Sequence, residues 1–127
     1  MSNTFLHSTL TQEIIGKAMK IHSALGPGLL ESTYERCLEY ELKNSGFDVK
    51  SQLLLPLKYE DLEIEQAYRL DLLIDNKVVV EVKAVEKVID KHEAQILTYM
   101  KLTGSEVGLI INFYEKKLKD GIRRFVL

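Results

Sequence analysis

Apolar positions near the start of the chain recur every three to four residues. Ile14, Ala18, Ile21, His22 and Leu25 fall on one helical face, and Thr11 reads as the cap of that helix. Gly26-Pro27-Gly28 punctuates the pattern as a turn that sets the entry angle of a second helix. That helix carries Leu30, Tyr34, Cys37, Leu38, Tyr40 and Leu42, has Glu31 in its first turn and ends near Asn44-Ser45-Gly46. From Phe47 to Ala84 the period changes. β-rich runs span Val49 to Tyr59, Leu62 to Gln66, Tyr68 to Ile74 and Lys77 to Ala84, with hairpin turns at Glu60-Asp61 and Asp75-Asn76. Asp90 and Glu93 resemble a capping box, opening a helix that runs to about Thr103 and stops at Gly104. Apolar strands follow at Val107 to Phe113 and Ile122 to Leu127. Two helices, a meander of strands, a helix and further strands predict an α/β fold with a mixed sheet and helices packed on it.

Burial alternates along a strand, so Val79, Glu81 and Lys83 share one face and Val78, Val80 and Val82 the other. On the preceding strand Tyr68, Leu70, Leu72 and Ile74 form one face, and Arg69, Asp71 and Leu73 the other. Pairing through the Asp75-Asn76 turn then brings Asp71 diagonally near Glu81. Two carboxylates and an ammonium occupy places where a packed strand should carry hydrocarbon, and burying charge is costly unless it is paired or binds a metal. Hard oxygen ligands suit Mg²⁺ or Mn²⁺, with open positions for water and a phosphate oxygen. Lys83 beside them would orient or deprotonate the attacking water or offset charge in a phosphoryl transition state. The plain alternative is a same-face ion pair of Glu81 and Lys83 on an exposed strand, with Asp71 at a strand end.

Composition narrows the class. A chain of 127 residues forms one domain, spanning 1–127. With 46% hydrophobic and 28% charged residues it is ordinary globular protein, and no stretch is apolar enough to span a bilayer. The opening MSNTFLHSTLTQEI lacks the basic start, apolar core and cleavage site of a secretory signal, so the cytoplasm is the expected compartment. A single cysteine, Cys37, excludes an internal disulfide and multi-thiolate metal sites and reads as a packed helix residue. The net charge of -2 gives no global attraction to nucleic acid, so such binding must be local or metal-assisted. Lys116, Lys117, Lys119, Arg123 and Arg124 make the densest basic cluster, which would contact phosphates if it lay beside the site.

Four ordered motifs now carry a resemblance. Gly28-Leu29-Leu30-Glu31-Ser32-Thr33-Tyr34 reads as the naming motif of the GxxExxY family of the PD-(D/E)XK nuclease superfamily. Tyr68-Arg69-Leu70-Asp71-Leu72-Leu73 resembles its aspartate strand, with Leu70 where the superfamily motif has proline. Val80-Glu81-Val82-Lys83-Ala84 resembles its E-x-K strand, and His92 to Tyr99 the Q-x-x-x-Y helix of the exonuclease-type branch. The ending, Ile111-Asn112-Phe113 and Lys119 to Arg124, is similar too. The resemblance implies a restriction-endonuclease-like αβββαβ core and a Mg²⁺-dependent nuclease acting on nucleic acid, with DNA the expected polymer. It also implies that Glu31, Asp71, Glu81 and the backbone carbonyl of Val82 bind the metal and that Lys83 is catalytic. By the same resemblance Gln95 holds the scissile phosphate or a metal-bound water, and Tyr99, one turn on, supports it or touches the substrate backbone. Arg123 and Arg124 are the candidate backbone contacts. His22 is weighed as a further ligand because some related exonucleases use a histidine there; a structural histidine is the plainer reading. Related nucleases grip DNA with extra domains, so a homodimer or a protein partner is expected here. The competing class is a PD-(D/E)XK scaffold that binds nucleic acid or protein without cutting.

Overall fold

The structure, a computed structural model, describes residues 6–127. Helix α1 (Ser8–Leu25) and helix α2 (Glu31–Asn44) precede strands β1 (Val49–Tyr59), β2 (Leu62–Ile74) and β3 (Val78–Lys83). Helix α3 (Asp90–Thr103), strand β4 (Val107–Asn112), a 3-10 turn (Leu118–Gly121) and strand β5 (Ile122–Val126) complete the chain. The five strands form one sheet in sequence order. β3 and β4 are parallel and the other neighbours antiparallel, so α3 is the crossover that parallel neighbours require. The expected mixed sheet flanked by helices is therefore the fold. No helix among the described residues is long and apolar enough to cross a membrane.

Each face of the sheet has its own core. Ile14, Ala18 and Ile21 of α1 and Tyr34, Leu38 and Leu42 of α2 pack on Leu72, Ile74, Val78, Val80, Leu109 and Ile111. On the other face Ile96, Tyr99 and Met100 of α3 cover Leu70, Leu73, Val79 and Ile110. β3 and β4 are buried along almost their whole length, which is why they read as continuous apolar runs.

Four local expectations are corrected. Thr11 does not cap α1: the helix begins at Ser8, and the Thr11 hydroxyl donates to the Ser8 carbonyl from inside the first turn. Asp90 is the first residue of α3 rather than its cap, and the bond at that end runs from the Ile89 N–H to Nδ1 of His92 at 3.1 Å. The runs Leu62 to Gln66 and Tyr68 to Ile74 are one strand. The register slips between Leu55 and Leu57, where Pro56 has no N–H to give the ladder, so the break in pattern near Ala67 is a bulge and not a loop.

The fourth correction shapes the site. Strict alternation would put Leu70 with Leu72 and Ile74, yet Tyr68 and Leu70 pack on the α3 side while Leu72 and Ile74 pack on the α1/α2 side. The change of face falls at Asp71. Opposite it on β1, between the pairs Ser51↔Leu72 and Leu53↔Leu70, Gln52 has a left-handed φ of 50°, and both strands turn over there. Arg69 and Asp71 are thereby delivered to the α2 side.

Candidate active site

The β2–β3 ladder runs from Ile74↔Val78 to Leu72↔Val80 and stops. Beyond that point β2 continues on β1, and β3 continues on β4 as far as Lys83↔Asn112, so a slot opens between the two central strands. Extending the register by one residue puts Asp71 opposite Glu81, directly and not diagonally. Their carboxylates replace the missing ladder. The Asp71 N–H donates to Oε2 of Glu81 at 2.8 Å, and the Val82 N–H donates to Oδ2 of Asp71 at 2.8 Å. Each acid thus holds the backbone of the opposite strand by a charge-assisted bond.

Glu31 reaches the same end of β3 from the first turn of α2, where its Oε1 accepts the Ala84 N–H at 3.1 Å. The start of α2 is fixed from within. The Tyr34 ring is fully buried and stacked on Phe113, at 4.4 Å between centroids and 8° between planes. Its hydroxyl donates to the Gly26 carbonyl and accepts the Leu29 N–H at 2.9 Å. The Gly26-Pro27-Gly28 turn is therefore tied to the helix it introduces.

One acid absent from the sequence reading joins the group. Glu35, one turn after Glu31, lies against Asp71, and Nε2 of Gln52 donates to both its carboxylate oxygens at 2.7 Å. Burial pushes its pKa up to about 7, with the Gln52 bond opposing and the Asp71 charge adding. Glu81, only 5% exposed, is pushed up to about 8 by burial first and by the Asp71 charge second, against the Asp71 N–H and the Lys83 charge. The protein has concentrated negative charge in a low-dielectric slot. Perturbed carboxylates of this kind mark functional sites.

On the α3 side, Tyr99 is buried edge-on to Tyr68, 5.9 Å between centroids, and its hydroxyl pKa is raised by burial, then by Glu81 and Asp71. Half-buried Gln95 lies one turn earlier on α3 and makes no side-chain hydrogen bond with the described residues. Lys83 acts on Glu81 through its charge but forms no ion pair among the described residues. His92, a further residue the sequence reading passed over, feels both Lys83 and Glu31, and burial and then the Lys83 charge lower its pKa. Asn112, 1% exposed, holds the chain just beyond β3: its side chain accepts the Val85 N–H at 3.1 Å and donates to the Val85 carbonyl at 2.8 Å.

The comparison with protein-family models returns the PD-(D/E)XK nuclease superfamily over residues 8–125. The chain belongs to that superfamily. Curated proteins and solved structures give no significant match. As in the PD-(D/E)XK pattern, Asp71 and the Glu81-Val82-Lys83 triplet face each other on adjacent strands.

The donor set suits a hard divalent cation. Asp71, Glu81 and Glu31 each spend one oxygen on a backbone N–H, and the second oxygen of each takes no backbone donor among the described residues. In this arrangement no three His, Cys, Asp or Glu side chains among the described residues form a group that could hold a metal ion. Several candidates of this PD-(D/E)XK domain stand apart from the slot. The Arg123 guanidinium pairs with Glu93 at 2.8 Å, and Arg124 donates to the Leu6 carbonyl. His22 Nε2 donates to the Glu115 carbonyl at 2.7 Å, beside a separate cavity of about 330 Å³ that Lys116, Lys117 and Lys119 also line. Two signals pointed to what was missed: Glu31, Glu35 and Glu39 recur at i, i+4 spacing, and Asn112 is a polar residue ending an apolar strand.

Proposed function

We propose that the chain is a divalent-metal-dependent hydrolase that cleaves phosphodiester bonds of nucleic acid, with DNA the expected polymer. The observation that supports this reading best is the Asp71–Glu81 interlock across an open slot, with the charge of Lys83 acting on it. Asp71, Glu81, Glu31 and the Val82 carbonyl would hold Mg²⁺, or Mn²⁺ in its place. When bound, such an ion supplies Lewis acidity to a phosphate oxygen and to the attacking water. Lys83, as the ammonium, would orient the attacking water and offset charge on the phosphate as the new P–O bond forms in line with the departing ester oxygen; the water proton passes to solvent and the departing oxygen takes one from solvent. Gln95, whose amide makes no hydrogen bond with a described residue, positions the scissile phosphate, and Tyr99 braces that end of α3. By its motifs the chain fits the GxxExxY branch.

The test is cleavage of labelled single- and double-stranded DNA and RNA with Mg²⁺ or Mn²⁺, comparing wild type with Glu81→Ala and including EDTA. Metal-dependent cleavage lost in the variant is the expected result. Lys83→Ala should lower turnover by about 10²-fold or more while Mn²⁺ still binds; unchanged turnover would remove Lys83 from the chemistry. One observation favours a second reading, a non-cleaving module for nucleic acid or protein: the carboxylates are not gathered as a three-donor set. Intact metal binding with no cleavage of any polymer would select it.

A further inference from the structure

We infer that Arg69, with Arg36 of α2, grips the phosphate backbone of a single nucleic-acid strand entering on the α2 side of the slot. This rests on the hydrolysis proposed above and names how its substrate is held. Both arginines line one cavity of about 520 Å³ together with Glu31, Glu35 and Asp71. Arg69 lies two residues before Asp71 on β2, and the turnover at Gln52 delivers both to that cavity. Positions two apart on a strand are separated by roughly 7 Å, comparable with the step between adjacent phosphates of one strand. A phosphate at Asp71 therefore leaves its neighbour within reach of Arg69.

Both guanidinium groups are exposed, and neither makes a hydrogen bond or ion pair with a described residue, although carboxylates line the same cavity. They are available for the bidentate contact that guanidinium makes with phosphate. Arg123 is instead committed to Glu93, Arg124 to the Leu6 carbonyl, and Lys116, Lys117 and Lys119 surround a different cavity. The α2 wall also limits the ligand. Glu31, Glu35 and Glu39 line it one turn apart, so a second strand would set its phosphates against three carboxylates. The cavity has the size of a small-ligand site, suited to about one nucleotide and not to a duplex.

The experiment is fluorescence anisotropy of a labelled single-stranded DNA oligonucleotide and of a blunt duplex, across a salt series with Ca²⁺ replacing Mg²⁺. Arg69→Ala should weaken single-strand binding about 10-fold and flatten the salt dependence by about one released ion. Arg36→Ala should act in the same direction, Arg69→Lys should restore part of the loss, and Arg123→Ala should bind as wild type. The duplex should bind more weakly than the single strand. An unchanged affinity and salt slope in Arg69→Ala, equal or tighter duplex binding, or no oligonucleotide binding by wild type would each overturn the inference. A strand bound through Arg69 but left uncut when Mg²⁺ is restored would defeat the hydrolase reading and leave this one standing; cleavage indifferent to Arg69 would do the reverse.

Discussion

Tyr34 does its work through an oxygen atom that sequence alone does not distinguish from ring packing. The stacked ring fills the core against Phe113, while the hydroxyl joins the Gly26 carbonyl to the Leu29 N–H and so fixes where α2 begins. Tyr34→Phe keeps the ring and strands two partly buried backbone groups, so it should cost about 1–3 kcal/mol in urea unfolding. Because Glu31 is the first residue of α2, the same change should loosen the Glu31 bond to Ala84, and faster hydrogen exchange at the Ala84 amide would report it. Leu29 and Ala84 are far apart in sequence, so unchanged Ala84 exchange in a destabilised Tyr34→Phe would show that the turn does not govern the acid. Glu81 is the opposite case: an acid in an apolar run announces itself in the sequence, but its partner atoms belong to backbone that only the open ladder exposes.

At the scale of elements, close approach decides how tightly neighbouring elements pack. A methyl group on Gly121 would clash with the backbone carbonyl oxygen of Asn112 at the end of β4, and backbone cannot step aside. Gly121→Ala should therefore cost about 2–3 kcal/mol or more. A methyl group on Gly108 would meet Sδ of Met100 at 2.7 Å and Ile96 at 3.1 Å, where α3 lies on β4. The thioether can swing, so Gly108→Ala should cost only about 1 kcal/mol. Thermal melts of both variants check the ranking, and equal losses would contradict it. The elements themselves were legible: apolar period, the Gly26-Pro27-Gly28 break and the Asp75-Asn76 turn located nearly every helix and strand, and Asp75 and Asn76 do take the paired left-handed conformation of a tight hairpin. The side of the sheet that Asp71 serves was not legible. It hangs on a left-handed Gln52, a residue with no special claim to that conformation, and on a register that no single strand records. Glu35 was hidden for the same reason, since it meets Asp71 only after that turnover; Arg69 shares a strand face with Asp71 in the sequence, and what stayed hidden is the α2-side cavity that both line. The partners of Arg123 and Arg124 were not legible either, because a run of basic residues carries no record of the carboxylate or carbonyl that each one meets in the fold.

The whole molecule holds a store of electrostatic strain at the slot, which couples its stability to pH. Glu81 has an ordinary pKa of 4.5 and a folded value of about 8, and Glu35 shifts in the same direction to about 7. Between the ordinary and raised values the folded chain holds more protons than the unfolded one, so stability is fully present below about pH 4.5 for these groups and falls as pH rises toward 8. In EDTA, the urea midpoint should decline from pH 5 to pH 8, and Glu81→Gln should remove part of that slope while Glu35 keeps the rest. A divalent cation held there, as proposed above, should reverse the trend, because it would take the place of the proton and neutralise the carboxylates in their charged form. Mn²⁺ at 100 times its dissociation constant should add about 2.7 kcal/mol, a rise in melting temperature of roughly 8–12 °C for a domain of this size. At a fixed Mn²⁺ concentration the gain should be larger at pH 8 than at pH 6, since fewer protons then compete for Glu81 and Glu35. Calorimetric melts with and without Mn²⁺ at the two pH values make the comparison. A gain that is the same at both would mean the ion binds away from the slot, and a larger gain at pH 6 would contradict proton competition at Glu81. Asp71→Asn should lower the gain at both pH values, because it removes charge from the proposed ligand set together with the repulsion that burdens Glu81. The metal-free Asp71→Asn protein should accordingly show a shallower decline with pH than wild type, so one substitution tests the strain and the site that would relieve it.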